Sequence, residues 1–182
     1  MDIKPIETQY KGYRFRSRLE ARWAVFFDAL NQKWEYEKEG YELEDGSKYL
    51  PDFWLPLIPG VDGGHFIEIK PIEPNDIERS KLLLLNRGTG MPTICFWGTP
   101  GANGDWHMTF YGRSECRLRN GIFNMGHPPQ QILWFLDDYM KRYYPLPFDY
   151  LWHTKPEYQK IDDLLTAFKS FKSARFEFGE RG

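Results

Sequence analysis

Two short, strand-like runs joined by a loop rich in proline and glycine constrain the fold of this chain more than any other feature. The runs cover residues 49–55 and 66–70, and residues 56–64 between them contain two prolines and three glycines. Such a segment interrupts a strand and favours a turn, so we expect the two runs to pair antiparallel as a hairpin. The hairpin would bring Asp52, on the first run, beside Glu68 on the second.

The second run carries charges on one face only. Side chains alternate between the two faces of a strand, so Glu68 and Lys70 project to one side and Ile67 and Ile69 to the other. Two carboxylates gathered at one end of a sheet repel each other unless a hard cation lies between them, and oxygen ligands suit Mg²⁺ or Mn²⁺. A lysine beside such a cation supplies positive charge where a phosphate and an attacking water would meet. The pattern therefore predicts a metal site formed by Asp52 and Glu68, with Lys70 next to it.

The same residues also have a structural explanation. Pro-Asp is a common turn pair, so Asp52 could simply cap a loop. Glu68 and Lys70 could form an ion pair on an exposed strand. Their apolar neighbours indicate instead a largely buried strand, where unpaired charges are costly, and this favours the functional interpretation.

A third acid, Glu20, lies on a helix that is predicted over about residues 17–31. The helix has one apolar stripe, formed by Leu19, Trp23, Phe26, Phe27 and Leu30. Glu20 falls at the edge of this stripe and is expected to look across the sheet surface. Ser17 and Glu20 also fit a capping box, in which the serine hydroxyl accepts the Glu20 amide and the glutamate accepts the Ser17 amide. Both roles remain open.

These residues resemble a known signature. Pro51-Asp52, followed after fifteen intervening residues by Glu68-Ile69-Lys70, is similar to the motif of the PD-(D/E)XK nuclease superfamily, and the resemblance covers about residues 10–98. In particular, the chain resembles small phage and bacterial proteins that carry two further segments. These are Arg-Ser-x-Leu-Glu-Ala-Arg-Trp, at residues 16–23, and a terminal Ala-Arg-Phe-Glu-x-Gly-Glu, at residues 174–180.

The resemblance implies a function and a role for each site residue. It implies an endonuclease that hydrolyses phosphodiester bonds in DNA with Mg²⁺ or Mn²⁺ as cofactor. Asp52, Glu68 and the backbone carbonyl of Ile69 would hold the cation, and Lys70 would orient or help deprotonate the attacking water. Glu20 would hold a second ion or a water. A nucleic-acid-binding or assembly protein that keeps the fold without cutting is the alternative, and an unrelated α/β enzyme with an accidental motif is a third hypothesis.

The order of elements predicts an α/β fold with a mixed central sheet of about five strands, flanked by helices. The resemblance implies that this fold is restriction-endonuclease-like. Strands are expected near residues 34–37, 41–43, 48–55, 65–70, 92–97 and 106–111, and further helices near 74–86 and 157–174. The strand at 92–97 should run parallel to the Glu68 strand after the helical crossover, and the last helix should cover a sheet edge.

The chain is expected to form a single domain with three parts. A nuclease-like core would span residues 1–111. Residues 112–150, with a helix starting at Pro128-Pro129, would be an insertion or lid-like segment. Residues 151–182 would contribute a C-terminal helix that packs on the core.

Arginines cluster near the predicted site. Arg14, Arg16, Arg18 and Arg22 flank it and are candidates to contact DNA phosphates, although charged helix faces are often merely solvated. The formal net charge of −2 excludes a protein that coats DNA by charge alone, so any contact must be local.

Other functional classes lack their patterns. The four histidines have no zinc-ligand spacing, and no Gly-x-Ser-x-Gly elbow or Gly-x-x-x-x-Gly-Lys loop occurs. No apolar run approaches the ~20 residues of a membrane span, and the N-terminus lacks the layout of a signal peptide. With only two cysteines, of which Cys95 is expected in the core, a cytoplasmic protein is predicted (the host cytoplasm if it is phage-encoded). A homodimer is possible.

Overall fold

The computed structural model describes residues 5–56, 63–98, 106–111, 121–124 and 157–176, which form a mixed α/β structure. The described strands are β1 (Thr8–Tyr10), β2 (Tyr13–Phe15), β3 (Glu35–Tyr36), β4 (Tyr41–Glu42), β5 (Lys48–Tyr49), β6 (Phe53–Pro56), β7 (Gly64–Lys70), β8 (Thr93–Gly98), β9 (Trp106–Tyr111) and β10 (Gly121–Asn124). The described helices are α1 (Arg18–Ala29), α2 (Asp76–Thr89) and α3 (Glu157–Ser173). None of these helices is both long and apolar enough to span a bilayer.

The central sheet is mixed and has six strands, in the order β10-β9-β8-β7-β6-β3, against the five or so expected. β6 and β7 form the predicted antiparallel hairpin, in which Phe53 pairs with Ile67. β8 runs parallel to β7, as predicted for a strand that follows a helical crossover. The other pairings in the sheet are antiparallel.

The single strand predicted over residues 48–55 is wrong. The chain forms β5, which pairs with β4 in a separate hairpin, and then β6, which joins the central sheet. Pro51 lies between the two strands and has no backbone N–H to donate to a ladder, so continuous pairing ends there. This break is what places Asp52 at the very start of β6.

Two helices cover opposite faces of the sheet. α1 begins at the N-cap Ser17 and buries its aromatic stripe, with Trp23 stacked on Phe96 of β8 at 4.7 Å between ring centroids. α2 begins with a capping box between Asn75 and Glu78 and ends at Gly90, whose φ of 68° is the left-handed conformation that glycine adopts without strain.

The last helix packs on α1 rather than along a sheet edge, contrary to expectation. Phe171 and Phe168 of α3 lie against Trp23 and Phe26, with ring centroids 5.8 and 5.5 Å apart. The two helices bury their aromatic faces against each other because an apolar stripe on α3 needs a partner of matching length.

One strand falls inside the segment that was predicted as an insertion. β10, within residues 112–150, extends the central sheet beyond β9. The rest of that segment, including the helix predicted from Pro128-Pro129, lies outside the described residues, as does Cys116.

The close approach of β6 and β7 at Gly64 leads to a prediction. A Cβ added there would lie 2.6 Å from the Leu55 carbonyl oxygen, so the two strands would have to separate. Gly64→Ala should lower the free energy of unfolding by about 1–3 kcal/mol in chemical denaturation. Gly88→Ala is the control, because the same methyl group in α2 meets nothing within 4 Å. It should stabilise the chain by about 0.5–1 kcal/mol. Equal effects of the two changes would contradict this account.

Candidate metal centre

Asp52 lies where β6 begins, and its carboxylate is tied to the neighbouring strand. The side chain is only 3% exposed. Its Oδ2 accepts a hydrogen bond from the Ile69 N–H at 2.7 Å, a buried contact between β7 and the residue that precedes β6. The sequence therefore placed Asp52 correctly beside the Glu68-Ile69-Lys70 segment.

The same hydrogen bond orients the Ile69 backbone. A strand residue presents its N–H and C=O on the same side of the strand, so the Ile69 carbonyl oxygen also lies on the Asp52 side of β7. This is the side on which the sequence analysis expects a carbonyl ligand.

Glu68 and Lys70 form an ion pair at the end of β7. Lys70 Nζ lies 2.9 Å from Glu68 Oε1 and 3.3 Å from Glu78 Oε1 on α2. The other Glu68 oxygen, Oε2, is buried and has no hydrogen-bond partner among the described residues. The Tyr49 hydroxyl lies close enough to Glu68 that burial and this negative charge together raise its pKa well above the usual value. A buried carboxylate oxygen without a donor is an unsatisfied acceptor, which a bound cation would satisfy.

Arg16 balances part of this negative charge. Its guanidinium NH₂ lies 2.7 Å from Asp52 Oδ1, and its Nε lies 2.7 Å from Glu37 Oε1. The Arg16 side chain is 55% exposed, whereas that of Asp52 is buried. Arg16 was expected to contact phosphates, and in the structure it lies between two acids at the mouth of the site.

The Glu20 carboxylate bonds to side-chain hydroxyls rather than to the backbone of the helix end. The Ser17 hydroxyl accepts the Glu20 N–H, as predicted for a helix cap, at 3.2 Å. The Glu20 carboxylate, however, accepts the hydroxyls of Ser17 and Tyr36 instead of the Ser17 amide. Only half of the predicted capping box forms, because Tyr36 offers a buried donor that competes with the backbone.

Three carboxylates act on one another electrostatically at this site. The pKa of Asp52 is raised well above its usual range, first by burial and then by the negative charges of Glu68 and Glu20. The Ile69 N–H and Arg16 oppose this shift without cancelling it. Burial alone would lower the pKa of Lys70, but the charges of Glu68, Glu78 and Asp52 outweigh it and raise that pKa. The arrangement has an excess of negative charge, as expected of a cation site.

A cleft of about 640 Å³ joins these groups. It is lined by most of the predicted site residues, namely Arg16, Arg18, Glu20, Asp52, Glu68, Ile69 and Lys70. Arg14 does not line it and pairs with Glu7, just before β1. Arg22 does not line it either, and its buried Nε has no hydrogen-bond partner in the described part of the chain.

Four contributors were missed in the sequence. Tyr36, Glu37, Tyr49 and Glu78 each contact or electrostatically influence a predicted site residue. Tyr36 could have been found from the strand predicted at residues 34–37, on which it faces inward beside β6. Glu78 gave no signal in the sequence that linked it to Lys70, and in the structure it also forms the α2 capping box with Asn75. Glu73, near the start of α2, is exposed and pairs with Arg79.

The residues fit a divalent cation, although their side chains pair with one another in the structure. Among the described residues, no three acidic, histidine or cysteine side chains are placed so that they could hold a metal ion as they stand. The expected ligand set contains only two carboxylates and one carbonyl oxygen, all on one side of the β6–β7 hairpin. The unsatisfied Glu68 Oε2 and the raised pKa of Asp52 both fit a centre that a cation would complete.

Comparison with known proteins identifies no similar protein. No protein-family model matches the chain, and no curated protein or solved structure matches it significantly.

The raised pKa of Asp52 predicts how stability depends on pH. The folded chain holds this proton more tightly than the unfolded chain, whose Asp52 pKa is near the ordinary value of 3.8. The resulting stability is present below pH 3.8 and is lost as the pH rises through the raised pKa. Asp52→Asn keeps an acceptor for the Ile69 N–H but cannot ionise. In EDTA, its free energy of unfolding relative to wild type should therefore rise from pH 4 to pH 8, as measured by urea denaturation.

Asp45→Asn is the control for this pH dependence. The Asp45 carboxylate is fully exposed, and hydrogen bonds from Ser47 lower its pKa. Asp45 therefore stabilises the fold above its unfolded pKa and loses this stability only as the pH falls through the lowered value, so Asp45→Asn should show no rise relative to wild type from pH 4 to pH 8. A flat or falling profile for Asp52→Asn would contradict the charge balance described here.

Tyr36→Phe should reveal the link between Glu20 and Arg16. The Tyr36 hydroxyl donates to Glu20 and accepts the Arg16 N–H at 3.0 Å, so its removal leaves two polar groups without a partner. We expect a loss of about 1–3 kcal/mol in the free energy of unfolding. Tyr41→Phe removes a hydroxyl that donates to the exposed Glu39. It should change the free energy of unfolding by less than about 0.5 kcal/mol. Similar losses for both variants would show that the Tyr36 hydroxyl does not link Glu20 to Arg16.

Proposed function

We propose that this chain is a metal-dependent nuclease that hydrolyses phosphodiester bonds in DNA, and that it acts as an endonuclease. One observation carries the proposal: Glu20 of α1, Asp52 just before β6, and Glu68 and Lys70 of β7 line a single cleft. The spacing of Pro51-Asp52 and Glu68-Ile69-Lys70 alone could be accidental. Convergence of the same residues, three of them buried acids, has no evident structural benefit, because buried like charges destabilise a fold.

The surrounding fold supports a restriction-endonuclease-like architecture as part of this proposal. The β6–β7 hairpin, the parallel β8 and the helices α1 and α2 on opposite faces match the arrangement expected from the resemblance. In this arrangement the hairpin carries the acids and the first helix brings Glu20 to the same end of the sheet.

Three oxygen groups are the candidate cation ligands. Asp52 Oδ1 accepts the Arg16 guanidinium, Glu68 Oε2 has no hydrogen-bond partner among the described residues, and the Ile69 carbonyl oxygen lies on the Asp52 side of β7. Mg²⁺ or Mn²⁺, when bound, supplies Lewis acidity toward a phosphate oxygen and a water molecule. Glu20, anchored by Ser17 and Tyr36, is placed to hold a second ion or to orient a water.

Lys70 contributes positive charge to the reaction. Glu68 and Glu78 hold its ammonium group, and its raised pKa keeps it protonated at neutral pH. A protonated lysine donates hydrogen bonds and does not accept a proton. We therefore assign Lys70 the orientation of the attacking water and the stabilisation of negative charge that develops on the phosphate.

Arg16 and Arg18 are the arginines best placed to contact DNA. Both line the cleft, whereas Arg14 and Arg22 do not. Because the chain carries a net charge of −2, attraction of a polyanion must come from local groups of this kind and from the bound cation.

The test is cleavage of DNA by wild type, Asp52→Asn and Lys70→Met. Supercoiled, linear, single-stranded and branched DNA would be incubated with Mg²⁺, with Mn²⁺ or with EDTA, and the products resolved on gels. We expect cleavage only with a divalent cation, with nicking or linearisation of supercoiled circles. Each substitution should reduce the rate at least about 100-fold.

Two residues away from the predicted site provide matched controls. Asp45→Asn and Lys81→Met make the same chemical changes outside the cleft and should retain the wild-type rate. Absence of cleavage by wild type on every substrate, with DNA binding equal in all variants, would reject catalysis and favour a binding or assembly protein. In such a protein the Arg16–Asp52 and Lys70–Glu68 pairs would be permanent.

A further inference from the structure

The Asp52 oxygen that faces the cleft is already paired with a positively charged side chain of the protein, Arg16. The two Asp52 oxygens are not equivalent. Oδ2 accepts the buried Ile69 N–H at 2.7 Å, and giving up this bond would leave a buried backbone donor unsatisfied. Oδ1 bonds only to the Arg16 guanidinium, at 2.7 Å. Oδ1 is therefore the exchangeable oxygen.

Arg16 can leave Asp52 without losing all its contacts. Its Nε keeps an ion pair with Glu37 at 2.7 Å, its backbone N–H bonds to the Tyr36 hydroxyl, and more than half of its side chain is exposed. Asp52, by contrast, is buried and cannot reach solvent. A rearrangement of this pair must therefore move the arginine and not the aspartate.

We propose that Arg16 is the counter-ion of the cation-free centre, and that a divalent cation binds by displacing its guanidinium from Asp52 Oδ1. The inference rests on the cation site of the proposed function. A guanidinium nitrogen and a divalent cation on the same oxygen would be like charges within a few ångström, in a site partly removed from water. The two compete, so Arg16 lowers the affinity for the cation while it stabilises the centre in its absence.

The first readout is cation affinity without DNA. Mn²⁺ would be titrated calorimetrically into full-length wild type, Arg16→Met and Arg14→Met. Arg16→Met should bind Mn²⁺ about tenfold more tightly than wild type, because the competing charge is gone. Arg14→Met is the matched control, two residues earlier in the chain on β2 but paired with Glu7, and its affinity should equal that of wild type. Asp52→Asn should bind no Mn²⁺ at the centre.

The second readout is thermal stability with and without the cation. In EDTA, Arg16→Met should melt below wild type, because the Asp52 carboxylate has lost its counter-ion. In saturating Mn²⁺ the difference should close or reverse, since tighter binding of a ligand to the folded state gives more stabilisation. If Arg16→Met does not fold, Arg16→Lys, which keeps the charge but not the planar fork, should bind Mn²⁺ more tightly than wild type, and equal or weaker binding would overturn displacement.

The outcomes separate this proposal from the nuclease assignment. Equal or weaker Mn²⁺ binding by Arg16→Met would overturn displacement and show that Arg16 positions Asp52. Mn²⁺ binding that survives in Asp52→Asn would place the cation elsewhere and also overturn it. Tighter binding by Arg16→Met, in a chain that cleaves no DNA, would uphold the displacement while the nuclease proposal fails.

Discussion

The hydrogen bond from the Ile69 N–H to Asp52 Oδ2 is the contact on which the candidate site depends. Pro51 ends the pairing of the preceding strand, and the Asp52 carbonyl accepts the Glu37 N–H at 2.9 Å. On the β7 side, the Asp52 carboxylate accepts the Ile69 amide. This fixes the carboxylate at the end of the β6–β7 hairpin and turns the Ile69 carbonyl to the same side. One bond thus positions two of the three expected ligand groups.

Burial of so many acids requires compensation, and the compensating groups come from every layer of the fold. Arg16 approaches from the segment before α1, Lys70 from the end of β7 and Tyr36 from β3. An ion pair at a half-exposed arginine contributes about 1 kcal/mol or less, so it cannot offset the desolvation of a buried carboxylate by itself. The candidate site is therefore locally destabilising. The fold is stabilised elsewhere, chiefly by the aromatic contacts between α1, α3 and the sheet.

Local pattern was enough to predict the hairpin, α1, the parallel β8 and the proximity of Asp52 to Glu68, because each depends on alternation, caps and turns within a few residues. It failed where a distant partner decided the outcome. Continuous pairing was expected across Pro51, although a proline can end a strand that is otherwise apolar. The role of Glu20 stayed open between the helix cap and the site, because Tyr36, the second donor to its carboxylate, lies sixteen residues away. The ion pairs of Arg16 were likewise unpredictable, since they depend on which acids the fold gathers around it.

The residues around Glu68 also bear on which cation the proposed centre would accept. Cys95 lies opposite Glu68 in the β7–β8 register and is fully buried. It does not line the cleft, and burial, together with the Glu68 charge, raises the pKa of its thiol well above the usual value. His65 has the parity of Ile67 and faces the other side of β7. A cation beside Glu68 would therefore meet carboxylate and carbonyl oxygens rather than thiolate or imidazole, a donor set that suits Mg²⁺ or Mn²⁺ better than zinc.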